Sequence, residues 1–304
     1  MASVSCSGLT SGDGSTSGTK RAAWLDVDWR EHQRWATVAG RPVNVVELGE
    51  GPPLVFVHGL AGSWQNWLEQ LPVFAAAGRR VIAMDLPGFG DSPMPAERIT
   101  ISGYAAIIDE LLGELGVDAA AVVGNSMGGF IGAELAIRFS TRVERLVLVS
   151  AAGITVEHQR GTYEFARRVA RVLTAYGAWL SAHSDTVVRR PRLRRGVLRA
   201  VAADPSAIPP PLAAEQVRGS GKPGFIDALD ALTSYPIRER LPEIACPTLI
   251  VWGDEDRLVP LRDADVFAQT IPRARKIVYR HTGHVAMLER PAEFNRDLAA
   301  FLAE

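Results

Sequence analysis

Three side chains that lie far apart in this 304-residue sequence can together turn an alcohol into a nucleophile. A serine hydroxyl is weak at neutral pH, so it needs a base within hydrogen-bond reach and an acid that orients the base. The candidate serine is Ser126, at the centre of Gly124-Asn125-Ser126-Met127-Gly128, directly after the apolar run Ala119 to Val123 and directly before a helix-period segment. A strand that turns sharply into a helix lifts the central side chain to the sheet's edge, and glycines two residues away on either side leave room for the turn. The base is sought in Tyr279-Arg280-His281-Thr282-Gly283-His284. His284, just before the closing helix, is preferred, and His281, nearer the strand, reads as an orienting or packed residue. The acid is sought in Trp252-Gly253-Asp254-Glu255-Asp256-Arg257. Asp256 is preferred because its spacing after Gly253 carries it past the turn, whereas Asp254 and Glu255 read as turn-forming or solvated groups. Charge developing on a substrate oxygen calls for two donors, usually backbone N–H groups. Met127 offers one at the start of a helix whose dipole adds to it. Leu60 offers the other, in the loop Phe56-Val57-His58-Gly59-Leu60-Ala61-Gly62, where His58 reads as structural.

These residues need elements to carry them. From Trp35 the chain breaks into short runs closed by glycine, of which RWATVAG and RPVNVVELG predict a hairpin. PLVFVHG, RRVIAMDLPG, AAAVVGNS, VERLVLVSAAG, PTLIVWGDED and ARKIVYRHTG predict further strands, several with the continuous apolar character of strands buried on both faces. Helix-period segments lie between them at Trp64 to Ala77, Ile101 to Leu115, Met127 to Phe139, Leu261 to Ile271 and Ala292 to Leu302, the last started by Pro291. The alternation predicts an α/β protein with a largely parallel, doubly wound sheet covered on both faces, and it places chemistry at the carboxyl ends of the strands. It fails from about Gly153 to Pro242. Residues 153–241 therefore read as an inserted helical cap, residues 22–152 and 242–304 as the core, and the Ser/Gly-rich residues 1–21 as a disordered tail. The segment Ala22 to Gln33, with Trp24, Leu25, Val27 and Trp29, is amphipathic; docking on the domain is expected, with a lipid surface as the alternative. Segments such as Val169 to Leu180 and Phe225 to Leu232 are expected to supply an apolar cap lining.

Composition narrows the partners. Hydrophobic residues make up 47% and charged residues 22%, as in globular domains. A formal net charge of -1 offers no basic field to nucleic acid. Between Glu157 and Arg199, ten arginines face three acidic residues. That run reads as a solvated helix face, the alternative being attraction to anionic lipid or an acidic substrate. Two cysteines, Cys6 and Cys246, make no disulfide framework. With no secretory pattern at the start and no membrane-length apolar stretch, a cytoplasmic location is expected.

VFVHGL, DLPGFGDS (Asp85 to Ser92), GNSMGG, WGDEDRLVP and GHVAMLERP occur in the order that brings Ser, Asp and His in turn. Over about Trp35 to Ala303 the chain thereby resembles the α/β-hydrolase fold superfamily, in its serine-nucleophile branch. The resemblance implies an eight-stranded, mostly parallel sheet, a helical lid after the sixth strand, and no cofactor or metal. Ser126 sets the chain apart from branches that displace at an alkyl carbon with a carboxylate. Ser126, His284 and Asp256 suit acyl transfer, so the leading expectation is a carboxylesterase or lipase-like enzyme acting on a small-molecule ester with an apolar acyl group. The alternative is hydrolysis of a carbon-carbon bond in ring-cleavage dienoic acids, since GNSMGG resembles the turn of those enzymes. Its flanks differ: HGLAGS stands where they have an HGSGPG-like loop, and Val285 where they have Trp after the histidine. A third possibility is a ligand-binding protein on the same scaffold.

Overall fold

The computed structural model describes residues 21–155 and 174–304. Nearly all of the tail, the first part of the arginine-rich run with Arg160, Arg167, Arg168 and Arg171, and the Val169 end of one predicted lining segment lie outside the described residues. Among the described residues eight strands form one sheet in the order β1-β2-β4-β3-β5-β6-β7-β8. They are β1 (Gln33–Val38), β2 (Arg41–Leu48), β3 (Pro53–Val57), β4 (Arg80–Met84), β5 (Ala120–Asn125), β6 (Val143–Val149), β7 (Thr248–Gly253) and β8 (Ala274–Tyr279). β2 runs antiparallel to β1 and β4, and every other pairing is parallel. The predicted hairpin is β1–β2. Ala39 and Gly40 at its tip both have positive φ, at 49° and 74°, as a two-residue turn matched to strand twist requires. Every residue of β5 and β7 is buried, which explains why those segments read as unbroken apolar runs.

Helices α1 (Trp29–His32), α2 (Leu71–Ala76), α3 (Ile101–Glu114) and α4 (Met127–Arg138) precede β6. Helices α5 (Ser184–Arg189), α6 (Pro191–Leu198), α7 (Pro210–Arg218) and α8 (Phe225–Ser234) lie in the connection from β6 to β7, and α9 (Leu261–Thr270), α10 (Ala286–Glu289) and α11 (Pro291–Leu302) follow. The continuous helix expected over Trp64 to Ala77 is instead a 3-10 turn, Trp64–Trp67, followed by α2. Two local features divide it. The Asn66 carboxamide accepts the Ser63 N–H at 2.8 Å, closing a capping box. Pro72, at the second position of α2, has no N–H with which to continue a preceding helix.

The amphipathic segment docks. Trp24 is buried and its indole N–H donates to Glu69 at 2.8 Å, while Trp29 packs on Trp64 with ring centroids 5.1 Å apart. The end of the β6–β7 connection is tied to the core through Glu134 of α4, whose carboxylate is fully buried. Glu134 accepts from the Tyr235 hydroxyl at 2.5 Å and from Arg240 at 2.9 Å, so the buried charge is both paired and hydrogen-bonded.

At the β5–α4 crossing the backbone comes close enough to position the site. A Cβ on Gly128 would lie 2.2 Å from the Val57 carbonyl oxygen and 2.6 Å from that of His58, both backbone atoms of β3 and its exit. Gly128→Ala is expected to cost about 3 kcal/mol. Gly113→Ala, in α3 with only the Arg142 guanidinium at 3.6 Å, is expected to stabilise by up to about 1 kcal/mol. Denaturant midpoints of the two variants check both signs.

Candidate active site

Ser126 sits at the strand-to-helix turn with φ 55° and ψ −117°, a conformation that costs an L-residue about 1–3 kcal/mol. Three backbone hydrogen bonds hold it there: its N–H donates to Val149 at 2.9 Å, and its carbonyl accepts from Phe130 and Ala152, each at 3.1 Å. The flanking glycines are steric requirements. A Cβ on Gly124 would meet the Gly128 carbonyl oxygen at 2.2 Å, and the Gly128 approach to β3 is closer than any side chain permits. The turn lifts Ser126 into a cavity of about 410 Å³ at the carboxyl edge of the sheet.

His284 lines the same cavity and is almost completely buried. Its Nδ1 lies 2.8 Å from Asp256 Oδ2. The other Asp256 oxygen accepts the N–H groups of Leu258 and Val259, both at 2.9 Å. Burial alone would raise the Asp256 pKa, but the His284 ring and these two amides outweigh it and hold the carboxyl below its ordinary range. An ionised Asp256 only accepts, so Nδ1 of the neutral ring carries the hydrogen and Nε2 is left with its lone pair. The ends of β5, β7 and β8 thus bring Ser126, Asp256 and His284 to one place. Leu60 is half-buried and lines the cavity, and Met127 is the first residue of α4.

The other candidates are committed elsewhere. His58 is fully buried; its Nδ1–H donates to the Gly59 carbonyl at 2.8 Å and its Nε2 accepts the Leu86 N–H at 3.0 Å. Burial lowers its pKa, and with both nitrogens bound to backbone it is structural, as expected. His281 departs from the expectation that it orients or packs, and it does neither. A positive φ of 52° turns it outward, where its side chain is 80% exposed beside Glu255 at 3.2 Å. Asp254 and Glu255 are exposed at the turn.

Sequence reasoning assigns nothing to Asn125, which the structure places at the junction. Its Nδ2 donates to the carbonyls of Val149 at 3.1 Å and His284 at 3.2 Å, joining the serine turn to the histidine loop. The wall from the β6–β7 connection is mainly apolar, with Val197, Leu198, Ile208, Val217, Leu229 and Leu232 among its residues. Across it, Asn66 Nδ2 donates to Gln216 of α7 at 2.8 Å, and both side chains face the cavity. Among the described lining residues there is no Lys, Arg, Asp or Glu. Among the described residues no group of three His, Cys, Asp or Glu is placed to hold a metal ion, and no helix is long and apolar enough to cross a membrane.

The sheet order and the strand-to-helix turn define an α/β hydrolase architecture, and the chain belongs to the α/β hydrolase fold family, whose model matches residues 52–291. Within that family it is similar to 2-hydroxymuconate semialdehyde hydrolase from Pseudomonas sp. (strain CF600), with 31% identity over 88% of this chain and 92% of that one. Among solved structures it is similar to the meta-cleavage product hydrolase CumD from Pseudomonas fluorescens IP01, in a mutant form complexed with acetates, with TM-score 0.70, 27% identity, and coverage of 90% of this chain and 98% of that one. It is also similar to Est816, described as an N-acyl homoserine lactone degrading enzyme, with TM-score 0.72, 27% identity, and coverage of 88% and 100%.

Because the folded-state pKa of Asp256 is depressed, its ionised form contributes stability that is fully present above the unfolded carboxylate value and is lost as pH falls through the folded one. The destabilisation caused by Asp256→Asn, measured from denaturant midpoints, is therefore expected at neutral pH and to shrink below about pH 4.

Proposed function

We propose that this protein is a serine hydrolase acting at a carbonyl carbon, with Ser126 as nucleophile, His284 as base and acid, and Asp256 as the group that orients the ring. The observation that carries this reading is that Ser126 and His284 open into one largely apolar cavity while an ionised carboxylate fixes the histidine's proton on the far nitrogen. Ser126 Oγ attacks the carbonyl as His284 Nε2 takes its proton, and Asp256 stabilises the imidazolium that forms. The N–H groups of Leu60 and Met127 receive the negative charge that develops on the substrate oxygen; each such donor is worth about 3–4 kcal/mol in the transition state. Residues 153–241, within the β6–β7 connection, serve as the cap that shapes the acyl side of the cavity.

The finer reading is hydrolysis of a carbon-carbon bond in a dienoic acid produced by ring cleavage. It is supported by near full-length similarity to proteins named for that activity and by the GNSMGG turn. Ester cleavage, the leading expectation from the sequence, gives way to it as the main reading. In the carbon-carbon case the bond from the attacked carbonyl carbon to the neighbouring chain carbon breaks. The hydroxy-dienoic acid first takes its keto form, its enol proton being lost and a proton added at that chain carbon; when the bond then breaks, its electron pair passes into the enone of the acid fragment as a dienolate, the His284 proton goes to that fragment, and water releases the acyl group from Ser126. Carbon leaves only because the fragment's conjugation delocalises the charge.

One observation favours the ester reading instead. Among the described lining residues there is no cation to pair with a dienoic carboxylate, and besides Ser126 and His284 the polar side chains there include those of Asn66, Gln216 and Ser220. An alkoxide leaving group makes no such demand.

Wild type and Ser126→Ala, each given a dienoic ring-cleavage product and nitrophenyl esters of graded chain length, separate the two. The expected result is turnover of the dienoic acid, with kcat reduced by about 10⁴-fold or more in Ser126→Ala. Ester turnover with the dienoic acid untouched replaces the finer reading, and equal rates without the Ser126 hydroxyl overturn both.

A further inference from the structure

The histidine loop rests on the β6–β7 connection at more than one point. The His284 N–H donates to the Val201 carbonyl at 2.8 Å. One residue earlier, a Cβ on Gly283 would lie 2.6 Å from the Ala203 nitrogen and 2.8 Å from the Val201 oxygen, so the two backbones touch. On the acid side, Arg257 donates to the Arg199 carbonyl at 2.8 Å. Base loop and acid loop therefore both bear on residues 199–204, between α6 and α7.

One buried carboxylate spans that contact. Glu289, the last residue of α10, is 5% exposed and takes no part in the chemistry proposed above. Its Oε1 accepts the Gly283 N–H at 2.7 Å, and its Oε2 accepts the Asp204 N–H at 2.9 Å. The Ala203 N–H also bonds to it. Burial raises its pKa, while these amide donors act against that rise. A carboxylate buried with backbone donors on two separate segments makes a stiff joint, because charged acceptors form shorter, stronger bonds than neutral ones.

We infer that Glu289 is a positioning residue for His284: it clasps residues 203–204 of the β6–β7 connection to the loop that carries the base, so the base is correctly set only while that stretch lies on it. The inference rests on the reading of His284 as base. It assigns the connection a second task besides shaping the cavity, and it makes movement of residues 199–204 a movement of the catalytic ring.

Glu289→Gln tests the clasp with nearly the same volume. A carboxamide presents one oxygen and one NH₂, so whichever way it turns, a donor faces an N–H and one side of the joint opens. Gly283→Ala parts the same surfaces while leaving the Glu289 carboxylate itself in place. For each variant, the rate at which a small fluorophosphonate labels Ser126 is measured per folded molecule, beside kcat and KM on the best substrate and the thermal midpoint. The expected result is labelling and kcat slowed by about tenfold or more, with KM changed far less, in both variants. A lowered midpoint with an unchanged labelling rate per folded molecule would mean that Glu289 supports only the fold, and the inference is overturned. Should Glu289→Gln not fold, Gly283→Ala decides by the same criterion. If the wild type itself is not labelled, the serine mechanism fails and the inference falls with it; if the wild type is labelled and the variants match it, only the inference fails.

Discussion

The left-handed backbone at Ser126 is the constraint on which the rest of the structure depends. No serine adopts φ 55° without compensation, and here it comes from three hydrogen bonds, two that fasten the turn to Val149 of β6 and to Ala152 just beyond it and one from Phe130 of α4. Around that turn β3, β5 and α4 come within backbone contact, which Gly124 and Gly128 permit. That steric requirement fixes how closely α4 lies against β3 and β5. Met127 follows the serine directly as the first residue of α4, and Leu60 lines the same cavity.

Around that turn the polar residues form a chain of supports rather than a set of independent contacts. Asn125 joins the serine turn to the histidine loop through the His284 carbonyl, and two amides hold the acid that orients the ring. The Asn66–Gln216 pair bridges the loop after β3 to α7 across the cavity. At the opposite end of the β6–β7 connection, Glu134 receives Tyr235 and Arg240 into the core. The connection is therefore fastened by polar groups at its return and lined by apolar side chains over the serine.

Much of this is legible in the sequence because it is local. Alternating apolar runs and helix-period segments point to the α/β class, the β1–β2 hairpin, and helices α3, α4, α9 and α11 to within a residue or so of their ends. Ser126, Asp256 and His284 can be picked out because each follows a strand at a glycine-marked turn. What escapes is long-range. Asn125 is visible inside the pentapeptide, but its bond to residue 284 spans 159 positions. Glu289 stands in GHVAMLERP with nothing to say that its acceptors meet donors at 204 and 283. The break at Trp64–Trp67 turns on Pro72 overriding helix periodicity, and His281 is misjudged because a single backbone dihedral turns it to solvent. Choosing between the two proposed reactions is harder still, since the proposed geometry serves ester and carbon-carbon hydrolysis alike and the difference lies in how a leaving fragment is held.

The backbone contact between Gly283 and residues 201–203 also bears on how such a protein can diversify. New substrate ranges in a two-part enzyme are often imagined as arising by exchange of the upper part on a fixed lower one. Here the crossover points are unequal. α7 and α8 are free to vary in the side chains they show to the cavity, whereas the stretch joining α6 to α7 must keep its path against a residue that tolerates no side chain. A graft that ignores that seam would inherit a new pocket and lose the register of the machinery below it.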